Sequence, residues 1–271
     1  MGTNLSHKDT FEGFQDTPLL WENNNVEFLK QFSIDKTSET FFPKTEHRKL
    51  RLGKWIEAYT SFQLQKQSNI EILEENLQIR SGKQTIGELD ILLLNNNQPI
   101  HLEIAYKFYL YDSTRAYSDN LAYWIGPNRN DSFVYKINKL REKQLPLLFK
   151  KETIEVLKTK NLIPDDFEQY VHFKAQLYVP YPMSNIDLTP LNKKCIQGWY
   201  LKFNFLLQLK YHKFHIPNKL NWLRKPNIAI DWLDFNEAQI AIKHYIDKRQ
   251  SPLCWIKSPE NDLQKCFITW W

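Results

Sequence analysis

Between residues 87 and 110 the chain reads GELDILLLNNNQPIHLEIAYKFYL, two apolar runs of strand length on either side of a turn-forming NNNQP. Runs of this kind form sheet, and in a sheet successive side chains alternate between the two faces. The alternation predicts Glu88 and Asp90 on one face of the first strand, opposite Leu89, Ile91 and Leu93. In the second it groups His101, Glu103, Ala105 and Lys107, with Leu102, Ile104, Tyr106 and Phe108 on the other side. One face of a hairpin thus gathers three carboxylates and an amine. Two readings stay open. Either the face is solvated and Glu103 and Lys107 form a surface pair worth ~0–1 kcal/mol, or it is covered and the acids require compensation, of which a divalent cation is a strong form. His101 divides in the same way, between a cleft residue and a partly buried, hydrogen-bonded imidazole.

The flanking sequence supplies elements to cover such a face. In EHRKLRLGKWIEAYTSFQLQKQ, residues Leu52, Trp55, Ile56, Tyr59 and Phe62 recur at three- and four-residue spacing, which predicts an amphipathic helix. Gly53 inside it costs about 1 kcal/mol relative to Ala, so a close backbone approach is expected there. Strands follow over 69–80, 85–94 and 99–109. After the polar, aromatic loop YWIGPNRND, the segment SFVYKINKLREKQLPLL sets Phe133, Ile137, Leu140 and Gln144 along one helical stripe, with Pro146 near its end. VHFKAQLYVP reads as a further strand, completing an α-β-β-β-α-β order.

Outside that core the signals weaken. Residues 1–45 read as an N-terminal arm packed through Phe11, Phe14, Leu20 and Trp21, and its MGTNLS opening matches the pattern for myristoylation at Gly2. Residues 46–185 form the expected core. In an α+β extension over 186–271, CIQGWYLKFNFLLQLKYHKFHI suggests one or two strands and NEAQIAIKHYIDKRQ a helix. With 9 Trp, 13 Tyr and 17 Phe the chain has ample material for a core. A net charge of +5 does not identify a nucleic-acid binder by itself. Three cysteines without metal-type spacing fit buried, inert thiols in a reducing, cytoplasmic compartment. No run approaches the ~18 apolar residues of a bilayer span, and the polar start lacks a signal-peptide core, so no membrane partner is expected.

The helix with LGKWIE, then GELD, then a Glu-bearing strand with a nearby lysine, then a helix with KQLPLL, resembles the PD-(D/E)XK nuclease superfamily, and its RecB-like members in particular. As a set, GELDILLL, HLEIAYKFYL, GPNRND with KINKLREKQLPLL, GWY and KLNWL resemble a bacterial family, domain of unknown function 1853, over most of residues 45–271. The resemblance implies a restriction-endonuclease-like α/β fold with a central mixed sheet, acting as a nuclease on DNA or RNA with Mg²⁺ or Mn²⁺. It matches Asp90 and Glu103 to the metal-binding acids, Glu57 to the acid on the first helix, Lys107 to the lysine and Gln144 to the glutamine of the later helix. It also implies the Ile104 carbonyl as a third ligand. One departure stands out: the pattern places the lysine two residues after Glu103, where this chain has Ala105, so Lys107 starts about 6.6 Å further along the strand on the same face. Asn128 and Arg129 in GPNRND are the expected substrate contacts. Lys210, His212, Lys213, His215, Lys219, Trp222, Arg224 and Lys225 offer a second basic, aromatic stretch. The alternatives are a non-cutting nucleic-acid-binding module, motivated by Ala105, and a protein-interaction factor whose acids are merely solvated.

Overall fold

The structure, a computed structural model, describes residues 5–22, 26–43, 50–182 and 186–271. Gly2, the candidate acylation site, and the helix-entry residues 44–49 lie outside them. The fold is mixed α/β with a large mixed sheet flanked by helices.

The chain divides into two compact units. One comprises Leu19–Tyr106 and Tyr135–Lys174; the other comprises Met1–Pro18, Lys107–Val134 and Ala175–Trp271. They are called here the carboxylate unit and the C-terminal unit.

The carboxylate unit holds helix α2 (Leu52–Leu64), strands β1 (Ile70–Ser81) and β2 (Gln84–Asn95), and the first part of β3 (Gln98–Tyr111). It also holds most of helix α3 (Phe133–Lys139), all of α4 (Lys151–Lys158), and the start of β5 (Glu168–Pro180). Strands β1, β2 and β3 form an antiparallel meander. The expected strands and the α2 stripe therefore form, with Trp55, Ile56, Tyr59 and Leu64 buried along that helix. A core of Ile79, Leu89, Leu92, Leu147, Leu148, Leu157 and Phe167 packs the sheet against the α3–α4 region. Each such aliphatic side chain contributes about 1.5–3 kcal/mol through burial. Gly53 departs from expectation: a Cβ there would meet nothing within 4 Å, so no close approach explains it.

In the C-terminal unit are helix α1 (Leu5–Asp16), the two-residue strand β4 (Trp124–Ile125), strands β6 (Ile196–Lys202), β7 (Lys213–His215), β8 (Leu253–Lys257) and β9 (Leu263–Thr269), and helix α5 (Phe235–Ile246). Its strand order is β5-β6-β9-β8-β7, with parallel β5–β6 and β6–β9 pairs and the others antiparallel. The polar N-terminal segment is helical over Leu5–Asp16, and Phe11, Phe14, Leu20 and Trp21 are all buried. Helix α4 and strands β8 and β9 add to the elements expected from the sequence. All three cysteines are free and buried.

Candidate functional site

Strand β2 pairs with β1 along its length but with β3 only over Ile91–Asn95, so its β3 side opens at Asp90. The β2–β3 ladder runs from Asn95↔Gln98 to Ile91↔Leu102 and stops. One further step in that register would set Asp90 opposite Glu103. Instead the Ile104 N–H donates to Asp90 Oδ2 at 2.8 Å, so a side chain has replaced a backbone acceptor. On the other edge the β1–β2 pairs step from Glu75↔Ile91 to Leu77↔Leu89, passing over Asn76. Asn76 has φ 53°, the left-handed region that an Asn tolerates and that turns a strand. Strict alternation is lost at the same place, because Leu89 and Leu92 enter one core although their numbers differ in parity. Asp90 thus keeps the position that this register gives it beside Glu103, with its side chain in place of a ladder bond.

Glu103 is fully buried, so the face is covered at that acid, while Asp90 and Glu88 are half-buried. Its Oε2 accepts from Gln144 Nε2, and its Oε1 lies 3.1 Å from His101 Nε2. The tautomer of His101 follows from its other neighbour. Gln169 Nε2 donates to the Leu145 carbonyl at 2.7 Å, which fixes the amide orientation, and the same nitrogen lies 3.0 Å from His101 Nδ1. An amide nitrogen only donates, so Nδ1 accepts and the proton sits on Nε2, pointing at Glu103. Burial agrees, pushing the imidazole down to about 4 and keeping it neutral.

Gln144 is oriented from its other end, because Lys136 Nζ donates to its Oε1 at 2.8 Å. It closes a π-type turn, Leu140–Gln144, set between α3 and a 3₁₀ turn over Leu145–Phe149. Such widened turns occur often at functional sites. Glu103 is thus held by two neutral donors, with the Lys136 ammonium acting on it through Gln144 and through space.

That arrangement leaves negative charge poorly compensated. Burial, and then repulsion from Glu103, push Asp90 up to about 7, although the Ile104 N–H and Lys136 pull the other way. Burial likewise pushes Glu103 up to about 7 against the pull of Lys136. Two neighbouring carboxylates, one buried and one half-buried, that resist ionising together suit a hard divalent cation, and Mg²⁺ characteristically takes one or two carboxylates and retains waters. The pair therefore fits the ion that the resemblance implies. Among the described residues no three His, Cys, Asp or Glu side chains converge into a ready metal cluster.

Glu57 stands at the rim, where burial raises its pKa and Asp90 adds repulsion, while Lys54 lowers it. Lys54 Nζ donates to Glu57 Oε2 at 2.6 Å, to Asn76 Oδ1 at 2.9 Å and to Glu88 Oε1 at 3.1 Å. Burial alone would lower its pKa, but the bonds to the two acids outweigh that and raise it. Lys54, Asn76 and Gln169 are site residues that sequence reasoning missed. Only Lys54, three residues before Glu57 on a helix, left a readable trace.

The remaining expected residues belong to the C-terminal unit. Lys107 Nζ donates to Asp131 Oδ2. Asn128 Oδ1 accepts from the Ser251 N–H at 2.8 Å. Arg129, with φ 61°, donates to Asp112 and Thr114 and lies 4.0 Å over the Trp271 ring. The basic, aromatic stretch is likewise engaged: Arg224 pairs with Asp9, Lys225 with Asp16, and Trp222 packs edge-on against Phe108 and Phe267.

Fold and site together define a mixed α/β protein with a carboxylate pair, Glu103 buried and Asp90 half-buried, where a sheet ladder ends. The chain belongs to the family described as Domain of unknown function (DUF1853), whose profile matches residues 9–266. No curated protein and no solved structure matches it.

Proposed function

We propose that the site hydrolyses phosphodiester bonds in DNA or RNA, with Mg²⁺ or Mn²⁺ held by Asp90 and Glu103 and with Glu57 completing the set. One observation carries the reading: two carboxylates sit side by side where the β2–β3 ladder ends, oriented by neutral donors and left short of positive charge. The order α2-β1-β2-β3-β4-α3-α4-β5 supports a PD-(D/E)XK, restriction-endonuclease-like core to which β4 and α4 are added. The bound cation supplies charge neutralisation at the phosphate and lowers the pKa of a water. Lys136 stabilises charge that develops on the phosphate, a role that Lys107, bonded to Asp131, would have to leave its partner to fill. Gln144 positions both Lys136 and Glu103. Lys54, bonded to Glu57 and Glu88 at the rim, would neutralise substrate charge there. Three free, buried cysteines support a cytoplasmic setting.

A second reading, a nucleic-acid-binding module that does not cut, draws on Ala105 and on the Lys107–Asp131 bond. The interaction-factor reading, which takes the acids as merely solvated, is favoured less by the burial of Glu103. Calorimetry with Mn²⁺ separates the first two. The parent is expected to bind the ion and Asp90→Asn to lose it, while keeping an oxygen for the Ile104 N–H. Labelled single- and double-stranded DNA and RNA then test cleavage in Mg²⁺ and Mn²⁺. Equal Mn²⁺ binding by both proteins sinks the ligand assignment, and binding of the ion without cutting of any substrate leaves the binding module.

A further inference from the structure

Lys54 and Glu57 face two features at once. Besides flanking the acid pair, they line an open cavity of about 390 Å³ within the carboxylate unit, inside the ~300–1,000 Å³ range of small-ligand sites. Its apolar walls are mainly aromatic, with Phe41, Phe42, Trp55 and Phe62, and Glu75 joins Glu57 and Lys54 in the charged lining. Phe41, itself buried, stands edge-on to Trp55 at 6.4 Å and to Phe62 at 5.3 Å, which makes that wall rigid. Phe42 is 78 % exposed, so it presents a bare ring at the cavity. Asn76, which bonds Lys54 at the acid site, lines the cavity too, and Ser61 adds a hydroxyl to its wall.

Aromatic faces, a few hydrogen-bonding groups and an ammonium beside a carboxylate pair suit a planar heterocycle that carries a phosphate. In a duplex each base is stacked on both faces and its pairing edge is occupied, so only an unpaired nucleotide can offer its ring to such a cavity. We propose that the cavity receives an unpaired base of a single-stranded nucleic acid whose backbone phosphate lies at Asp90 and Glu103. The ligand class rests on the phosphodiester reading of that acid pair. Strand selection by the cavity is additional to it: Phe42 and its neighbours choose single strands, and the acids act on what is chosen.

Fluorescence anisotropy of the full chain with labelled 12-residue single-stranded DNA, single-stranded RNA and duplex DNA, in EDTA, measures binding without cleavage. The parent is expected to bind at least one single strand about tenfold or more tighter than the duplex. Phe42→Ala, a change at an exposed ring, should weaken single-strand binding about tenfold and leave duplex binding and the thermal midpoint unmoved. Ser61→Trp, which fills the cavity from its wall, should give the same loss. Equal affinity for single strands and duplex, or undiminished single-strand binding by Phe42→Ala, overturns the base site. If the Phe42 dependence holds while no metal-dependent cleavage is found, the base site stands and the hydrolytic reading fails. If cleavage depends on Asp90 but strand preference is missing, the base site alone fails.

Discussion

A buried acid is costly unless neighbours fix its charge, and Asp90, Glu103, His101, Gln144 and Gln169 show how far neutral groups can go. Donors from His101 and Gln144 orient Glu103 without neutralising it, so its carboxyl stays pushed up by burial. The sequence disclosed Asp90, Glu103, Gln144 and Glu57 because they lie in runs whose period makes an acid or amide conspicuous. It did not disclose Gln169 or Asn76, since each reaches the site from a strand whose own pattern gives a polar residue no special meaning. For the lysine, parity along β3 pointed to Lys107, whereas the ammonium that acts on both acids is Lys136. Lys136→Met is therefore expected to lower single-turnover cleavage about a hundredfold or more, the scale of losing one preorganised charge donor. Lys107→Met should cost under tenfold. The reverse order would return the catalytic ammonium to β3 and leave Lys136 a positioning residue for Gln144.

At the scale of elements, hydrophobic period found the meander and α2 but could not see the break at Asp90. That break is the end of the β2–β3 ladder at Ile91↔Leu102, and with the left-handed Asn76 facing it on β1 it is a tertiary outcome that a period of two does not record. Strands β8 and β9 escaped for a different reason. Residues 253–256 and 265–269 are buried throughout, so LCWI and KCFIT lack the alternation by which a half-buried strand is read. Glycines within elements show how context sets their cost. Gly198 of the GWY motif pairs with Lys265 across the parallel β6–β9 ladder, and a Cβ there would come 2.1 Å from the Lys265 carbonyl oxygen. Gly198→Ala is expected to destabilise by ~1–3 kcal/mol or more. Gly53→Ala, in open space on α2, should stabilise by ~0.5–1 kcal/mol through helix propensity and a less flexible unfolded chain. Urea midpoints of the two variants should move in opposite directions. A loss in Gly53→Ala would show that the helix start needs glycine for a reason other than packing.

For the molecule as a whole, Lys265 on β9 links folding stability to pH. It is buried, and its ammonium donates to Gln176 Oε1 at 2.9 Å and to the Trp222 carbonyl at 2.7 Å. Burial, with some repulsion from Lys225, pushes its pKa down to about 7. In the unfolded chain a lysine titrates near ~10.4, so between about pH 7 and 10 the unfolded state binds more protons than the folded one. Stability from this group must then rise with pH across that window. Below about pH 7 both states are protonated, and the cost of burying the charge is present in full and constant. Lys265→Met keeps most of the apolar stem and forfeits the two hydrogen bonds at every pH, so it should remove the slope and add a constant offset. Urea unfolding of parent and variant at pH 7, 8, 9 and 10 reads the difference directly. The parent is expected to gain on the variant by up to a few kcal/mol across the series, at about 1.4 kcal/mol per unit of pKa difference. Parallel curves would mean that the two oxygen acceptors hold Lys265 charged at its ordinary pKa despite burial, and the pH dependence would then have to arise elsewhere in the fold.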